Sequence, residues 1–299
     1  MGRAKTLPSV AVVLVNWNNR QDTLDCLESL KGLDYPNFAV ILVDNGSTDG
    51  SLDILRARPE VDLIENGENL GIARANNVGI ARARERGLEC VMLLNNDTEV
   101  APDMLTRLVD VLEGDPRVGV VGPKMYYHSE PDVIWFGGGR VMPWKGDTAH
   151  LCYGEKDHGQ CDQEGETDYI TSCCLLTRMR LFDELGGIDP YYFIYFDETD
   201  FCLRAARAGY RVVYVPRARL WHKVSRSMGG AESARYWHHY MRSRVYFVNK
   251  FFPWPNRLAA MAWIFLHDLP RCMARFIRRG AFDRIPAYLR GLGLGLLGR

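Results

Sequence analysis

The chain predicts an α/β fold, with a Rossmann-like, mostly parallel central sheet, helices on both of its faces and amphipathic helices at the C-terminal end. Two observations carry that prediction. Apolar runs of strand length alternate with amphipathic stretches of helical period through the first half. The early runs end in Asn, Asp, Gly and Ser, the residues of tight turns and helix starts.

Residues 10–15, 39–44, 61–65 and 90–94 read as strands, because their unbroken aliphatic character suits a strand covered on both faces. Helical periodicity falls near 23–31, 51–58, 72–86 and 102–113, and 118–121 is a further strand. Residues 126–168 turn irregular and rich in Gly, His and acids, as expected of an insertion of loops and short antiparallel strands bordering a site. Regular patterns return as a strand at 169–177, a helix at 180–185 stopped by Gly186-Gly187, a helix at 199–208 stopped by Gly209, and a strand at 212–215. Two or three amphipathic helices follow, separated by Pro253-Trp254-Pro255 and by Gly280.

The 299 residues can bury one large core or two smaller ones, and 37 basic residues balance 37 acidic ones. That balance argues against nucleic acid as a partner. From 231 onward, however, 12 Lys and Arg face only Glu232, Asp268 and Asp283, and the arginines are interleaved with aromatic residues. The eight cysteines form no C-x-x-C pair, so reduced, mostly buried thiols in a cytosolic compartment are expected. MGRAKTLPSV carries no apolar leader, and the longest apolar run, 258–266, is far shorter than the roughly 20 residues that span a bilayer.

In VMLLNNDTEV an apolar strand stops at Asn95, Asn96 and Asp97, at the sheet edge where open α/β folds bind ligands. One carboxylate beside amides suits a divalent cation that carries a diphosphate, since such a metal keeps positions for water and phosphate oxygens. The first strand ends in Asn16-Trp17-Asn18-Asn19, the second in Asp44-Asn45-Gly46-Ser47, and the third leads to Asn69-Leu70-Gly71. These ends converge in a parallel sheet. Asp44 can accept the imide N–H of a pyrimidine, and Gly46 and Gly71 permit close backbone approach. No G-x-G-x-x-G or Walker loop is present to cradle phosphates, which leaves their charge to a metal near Asp97.

A second constellation is FIYFDETDF, where Asp197, Glu198 and Asp200 open a helix directly after Phe193, Tyr195 and Phe196. Carboxylates at the rim of an aromatic wall are placed as a general base would be, and one of Asp197 and Glu198 could take a proton from an acceptor hydroxyl. Anions at a helix start also cap it, which by itself accounts for Asp200. In RLWHKVSRS, His222 precedes Lys223, Ser225 and Arg226; it could complete a metal site with Asp97, and the adjacent cations could hold a leaving diphosphate.

The ordered set NWNN, VDNGSTDGS, ENLGIARANNVGI, LLNND, ITSCCLLTR, ELGGIDPYYFIYFDETDFCLRAARAGYRVVYVP and WH resembles inverting family-2 glycosyltransferases of the GT-A fold, most of all a rhamnosyltransferase-like branch. The likeness covers residues 8 to 228. It implies transfer of a sugar from a nucleoside diphosphate to an acceptor hydroxyl, with inversion and with Mg2+ or Mn2+ as divalent cation. By that resemblance Asn16, Asn18, Asp44, Gly46, Ser47, Asn69, Gly71, Asn77, Asn95 and Asn96 would bind the nucleotide sugar, with Asp44 at the base and Asn95 near the ribose. Asp97 and His222 would bind the metal, and Tyr195, Phe196 and Asp200 the acceptor. The family's Glu-Asp pair stands here reversed as Asp197-Glu198, so either acid could be the base.

The resemblance divides the chain into a catalytic domain at 1–230, with a nucleotide-binding half at 8–123 and an acceptor-binding half at 124–230, and a basic helical region at 231–299. It implies a dTDP- or UDP-linked donor, a glycan or lipid-linked glycan acceptor, and a cytoplasmic protein peripheral to the inner face of the membrane. An anionic membrane surface is the further partner that the basic, aromatic region suggests. The rival readings are a nucleotidyltransferase, which would favour a basic, glycine-rich N-terminal loop where this chain offers only Arg20, and a noncatalytic sugar-nucleotide-binding protein, which would have no use for acids on an aromatic wall.

Overall fold

A computed structural model describes residues 7–224 and 233–298 of the chain. It opens with four parallel strands, β1 (Val10–Asn16), β2 (Phe38–Asp44), β3 (Val61–Glu65) and β4 (Cys90–Asn95), each within one residue of its expected bounds. Between them run α1 (Arg20–Leu30), α2 (Ser51–Arg56) and α3 (Ile72–Glu85). The strands lie side by side in the order β4-β1-β2-β3. Because β1 sits between β4 and β2, the direction of winding reverses beside it, and strand ends there diverge to leave a crevice. Register carries Asn16 next to Asp44 and Val15 next to Asn95, so the polar strand ends share one edge. Val12, Ile41 and Met92 are fully buried on three adjacent strands, each stabilising the fold by about 1.5–3 kcal/mol.

The second half builds on the same sheet through β5 (Thr98–Val100), α4 (Met104–Gly114), β6 (Val118–Tyr127), β7 (Ile134–Phe136), β8 (Gly139–Met142), β9 (Asp147–His150), β10 (Gly165–Glu166), β11 (Cys174–Arg178), α5 (Met179–Leu185), α6 (Asp197–Arg207) and β12 (Arg211–His222). β11 runs antiparallel to both β4 and β6, so the ten-stranded sheet is mixed beyond its first four strands. β8 and β9 pair as a separate hairpin inside the predicted insertion. Buried Lys124 of β6 ties that insertion down, holding Asp157 at 2.6 Å and Asp162 at 2.7 Å. Cys152 and Cys161 are disulfide-bonded, which corrects the expectation of thiols throughout. The other six cysteines are free and buried, as expected.

Ser233 caps the C-terminal helices by accepting the Tyr236 N–H, and the helices are α7 (Ala234–Phe251), α8 (Trp254–Trp263), a π-helical turn (Ile264–Asp268), α9 (Leu269–Arg278) and α10 (Arg284–Leu297). α7 joins two cores. Phe247, Val248 and Phe251 pack into the main one, whereas Trp237, Met241 and Val245 meet Ile264, Phe276 and Tyr288 in a second. Part of the basic, aromatic region is therefore internal: Arg244 is buried, with Asp268 2.8 Å away and the Gly146 carbonyl accepting from it. The expected domain boundary at 230/231 lies outside the described residues. No described helix is long and apolar enough to cross a membrane.

Candidate active site

The strand ends are tied together by amides. Asn16 is fully buried, donates to Asp44 at 2.8 Å and Ser47 at 3.0 Å, and accepts from the Thr23 hydroxyl at 2.8 Å. Asn18 donates its backbone N–H to Ser47 and accepts from that of Thr48, which clamps the loop after β1 to the loop after β2. The other Asp44 oxygen accepts the N–H groups of Gly46 and Ser47, an Asx turn. One strand further out, Asn45 donates to Asn69 at 3.0 Å and accepts from Asn66 and the Leu70 N–H, while Asn69 accepts from Gly71. Gly71 has φ +81°, and a Cβ there would lie 2.6 Å from the Phe193 ring, so only glycine lets this turn meet the aromatic wall.

These loops border a cavity of about 410 Å3. Of the residues singled out in the sequence, Asn69, Gly71, Asn95, Asn96, Asp97, Tyr195, Asp197, Glu198 and His222 line it. Asn16, Asn18, Asp44, Gly46 and Ser47 do not. They form the layer beneath and beside it, and Asp44, only 1% exposed, is committed to its turn rather than open to a base. Asn77 is also placed elsewhere, because its amide clamps both the N–H and the carbonyl of Ile188.

Asp97 and His222 come from positions 125 residues apart and meet through the sheet. The end of β12 runs antiparallel to β5, with His222 opposite Thr98 and the Lys223 N–H donating to the Asp97 carbonyl at 2.8 Å. His222 Nε2 then lies 3.1 Å from Asp97 Oδ1. At that distance the ring edge and the carboxylate share a hydrogen bond, and Nδ1, on the other side of the ring, is buried without a hydrogen-bond partner. Among the described residues no three His, Cys, Asp or Glu side chains group closely enough to hold an ion alone. Asp97 and His222 could hold a divalent cation whose remaining ligands are water and phosphate oxygens, which is how such metals carry a diphosphate. Lys223 does not face that position. Its ammonium is held by Asp25 and Asp22 of α1, so it is no phosphate ligand here, and Ser225 and Arg226 lie outside the described residues.

The acids sit at the start of α6, behind two residues in an unusual conformation. Tyr195 (φ 69°) and Phe196 (φ 64°) both occupy the left-handed region, a cost of order 1–3 kcal/mol each that residues near functional sites often bear. Their turn aims Asp197 and Glu198 into the cavity. Burial raises Asp197 to about 6, although its hydrogen bond with Glu198 opposes that rise. Burial raises Glu198 well above the usual carboxylate range, and the neighbouring Asp197 charge adds to it. The two acids behave as one unit that retains a proton near neutrality. Asp197 Oδ2 is buried with no partner.

Asp200 and Phe196, expected to touch an acceptor, are placed otherwise. Asp200 is fully buried and accepts from Arg204 at 2.6 Å, Lys250 at 2.5 Å and Tyr192 at 3.0 Å, a structural ion cluster. Phe196 packs inward against Phe247 at 5.2 Å between ring centroids. The sequence reading missed Trp135 and His150, which line the cavity from inside the insertion. His150 donates Nδ1–H to the Trp135 carbonyl at 3.0 Å, and burial, with His222 nearby, lowers its pKa to about 4 so that it stays neutral. It missed Arg235 as well. This exposed guanidinium lies 4.7 Å over the ring of Trp17 and 5.5 Å over that of Phe193, both cavity residues. An arginine at the start of a helix carries no local sequence pattern that would announce such a role.

A family model described as glycosyl transferase family 2 matches residues 11–186. The chain is a family-2 glycosyltransferase. This glycosyltransferase is 28% identical over 239 residues to an N-acetylglucosaminyl-diphospho-decaprenol L-rhamnosyltransferase of Mycobacterium tuberculosis, an alignment covering 72% of this chain and 76% of that one. Its fold is that of GT-A enzymes. It superposes on a Pyrobaculum calidifontis mannosyltransferase solved with GDP-mannose and Mn2+ at a TM-score of 0.61, with 20% identity, over 98% of this chain and 86% of that one. It superposes on GalNAc-T7, solved with UDP, GalNAc and Mn2+, at a TM-score of 0.64 and 18% identity, where 84% of the chain spans 52% of the larger protein. The cavity described above therefore lies in a glycosyltransferase, at the carboxyl ends of the strands of its sheet.

Proposed function

We propose that this glycosyltransferase moves a sugar from a nucleoside diphosphate to a hydroxyl of a lipid-linked or polysaccharide acceptor in cell-envelope glycan synthesis, with inversion at the anomeric carbon. L-Rhamnose from dTDP-rhamnose is the preferred donor sugar, ahead of a hexose from a UDP-sugar, in line with the name of the mycobacterial relative. The observation that carries the reading is that the Asp97–His222 pair and the Asp197–Glu198 pair line one cavity.

Mg2+ or Mn2+, held by Asp97 and His222, would neutralise the charge that builds on the departing diphosphate. The amides of Asn45, Asn69 and Asn95 and the close-packed turn at Gly71 bind the nucleoside end of the donor, over the layer braced by Asn16 and Asp44. Tyr195 and Phe193 supply the apolar wall against which the acceptor lies. Glu198 reaches the acceptor hydroxyl, since Asp197 is only 1% exposed behind it. As the hydroxyl oxygen attacks the anomeric carbon, its proton passes to the acid pair, whose raised affinity for protons makes it a stronger base than two exposed carboxylates. The sugar–phosphate bond breaks on the opposite face, and no covalent enzyme intermediate forms.

The catalytic unit comprises residues 1–230 together with α7, with the donor half at 8–123 and the acceptor half at 124–230. The enzyme works as a peripheral protein on the inner face of the cytoplasmic membrane. A donor panel with Mn2+ and an N-acetylglucosaminyl-diphospho-prenol acceptor tests the reading. Turnover is expected with dTDP-rhamnose and lost with a chelator; binding of dTDP or UDP donors without turnover on any acceptor hydroxyl would leave a noncatalytic binder.

A further inference from the structure

α8, the π-helical turn and α9 form one unbroken helix from Trp254 to Arg278. Its inner side is used: Ala260, Ile264, Cys272 and Phe276 are buried against the rest of the protein. A helix of strict 3.6 period would let that stripe drift over such a length, and the wider π turn in the middle brings it back into line. The same correction aligns a second apolar stripe on the outer side. Trp254, Leu258, Phe265, Leu266 and Ile277 stand there with exposures from 37% to 80%. A soluble surface does not ordinarily gather five large apolar side chains along one helix face.

The charge around that stripe has one sign. Arg257 follows Trp254 and precedes Leu258, and Arg278 follows Ile277, each turned about 100° from its neighbour and so flanking the stripe. Both are exposed, and among the described residues neither has a carboxylate within ion-pair distance. The helix has one carboxylate, Asp268, and it is turned inward onto Arg244. A protein partner of mixed charge has nothing acidic to meet here.

We infer that this outer face of 254–278 docks on an anionic lipid bilayer, with the apolar stripe entering the boundary between headgroups and acyl chains and the flanking arginines on lipid phosphates. The helix is too polar to span a membrane and has the composition of one that lies in the interface. The inference deepens the proposed function, on which it rests for its purpose: it names the surface at which a lipid-linked acceptor would be met.

The test is flotation of the full chain with vesicles of phosphatidylcholine alone or with phosphatidylglycerol. Wild type should float with the anionic vesicles, less in high salt, and little with neutral ones. Arg257→Gln with Arg278→Gln should weaken binding about fivefold for each arginine removed. The triple change Leu258→Ser, Leu266→Ser and Ile277→Ser, all at exposed positions, should weaken it by about tenfold or more. Equal binding by wild type and both variants, no binding by wild type, or a self-association in sedimentation velocity that the triple change abolishes in the absence of vesicle binding would each overturn the inference. Turnover on a short-chain, water-soluble acceptor keeps the two readings apart. It should be unchanged in the triple variant, and its absence in wild type would count against the proposed function while the vesicle result stood by itself.

Discussion

Asp197→Asn should make the protein more stable while lowering its turnover less than Glu198→Gln does. In the folded chain Asp197 titrates near 6 because burial disfavours its charge, against an ordinary value of 3.8. A carboxylate raised in this way contributes stability that is fully present below its unfolded value and is lost as pH rises through the folded one. About two pH units at 1.36 kcal/mol each makes the loss on the order of 3 kcal/mol by neutral pH. Asparagine keeps the shape and removes the charge, so the variant should escape that loss. For a chain of this size the thermal midpoint at pH 7.5 should rise by about 5 °C, and the gain should shrink towards zero below pH 4. The assay is thermal unfolding from pH 4 to 8 without nucleotide or divalent cation, beside turnover at pH 7.5. A midpoint that falls, or a difference that does not depend on pH, would refute the claim that the acid pair is held protonated at a cost to the fold.

Other expectations follow from the same geometry. Asp97→Ala should abolish metal-dependent turnover and leave the unfolding midpoint close to wild type, and retained turnover would remove Asp97 from the reaction. Glu198→Gln should lower kcat by about 10²–10⁴ with donor KM little changed; a larger defect in Asp197→Asn would exchange the two roles. The rate of wild type should fall below about pH 6, where the pair takes up a second proton and no base remains, so a flat profile from 5 to 8 would contradict it. Asp200→Asn should destabilise the fold by about 3–5 kcal/mol in urea, because Lys250 and Arg204 lose their buried partner, without changing acceptor KM.

The strands of the first half were legible because a sheet covered on both faces demands unbroken aliphatic runs, and 10–15, 39–44, 61–65 and 90–94 are such runs. Asp97 was legible for the same reason, as the abrupt end of one of them. The position of β11 was visible but its reversed direction was not, since an aliphatic strand reads alike either way along the sheet. Asp44 and Asn77 misled because a carboxylate that holds a turn and an amide that clamps a backbone use the same residue types as a binding site. Asp200 shows the limit most plainly. Its partners Arg204 and Lys250 stand 4 and 50 residues away, and the distant one has no signature in the neighbouring sequence. His150 and Trp135 lie in the irregular insertion, where no period predicts which side chains turn inward.

The long strand β12 has a second consequence, for how this enzyme can change in length. Its pairing with β6 slips between Val215 and Arg219, and beyond the slip Leu220 and His222 are buried while Arg219 faces solvent. Because strand side chains alternate, one residue added after Arg219 would swing His222 to the outer face and carry Trp221 or its neighbour into the cavity instead. The same residue added within the slip, where the ladder is already out of step, could be absorbed as a larger bulge. Length variation in β12 should accordingly be found before Arg219 and be absent after it, which makes Leu220, Trp221 and His222, held between β5 and β6, the least elastic part of the strand.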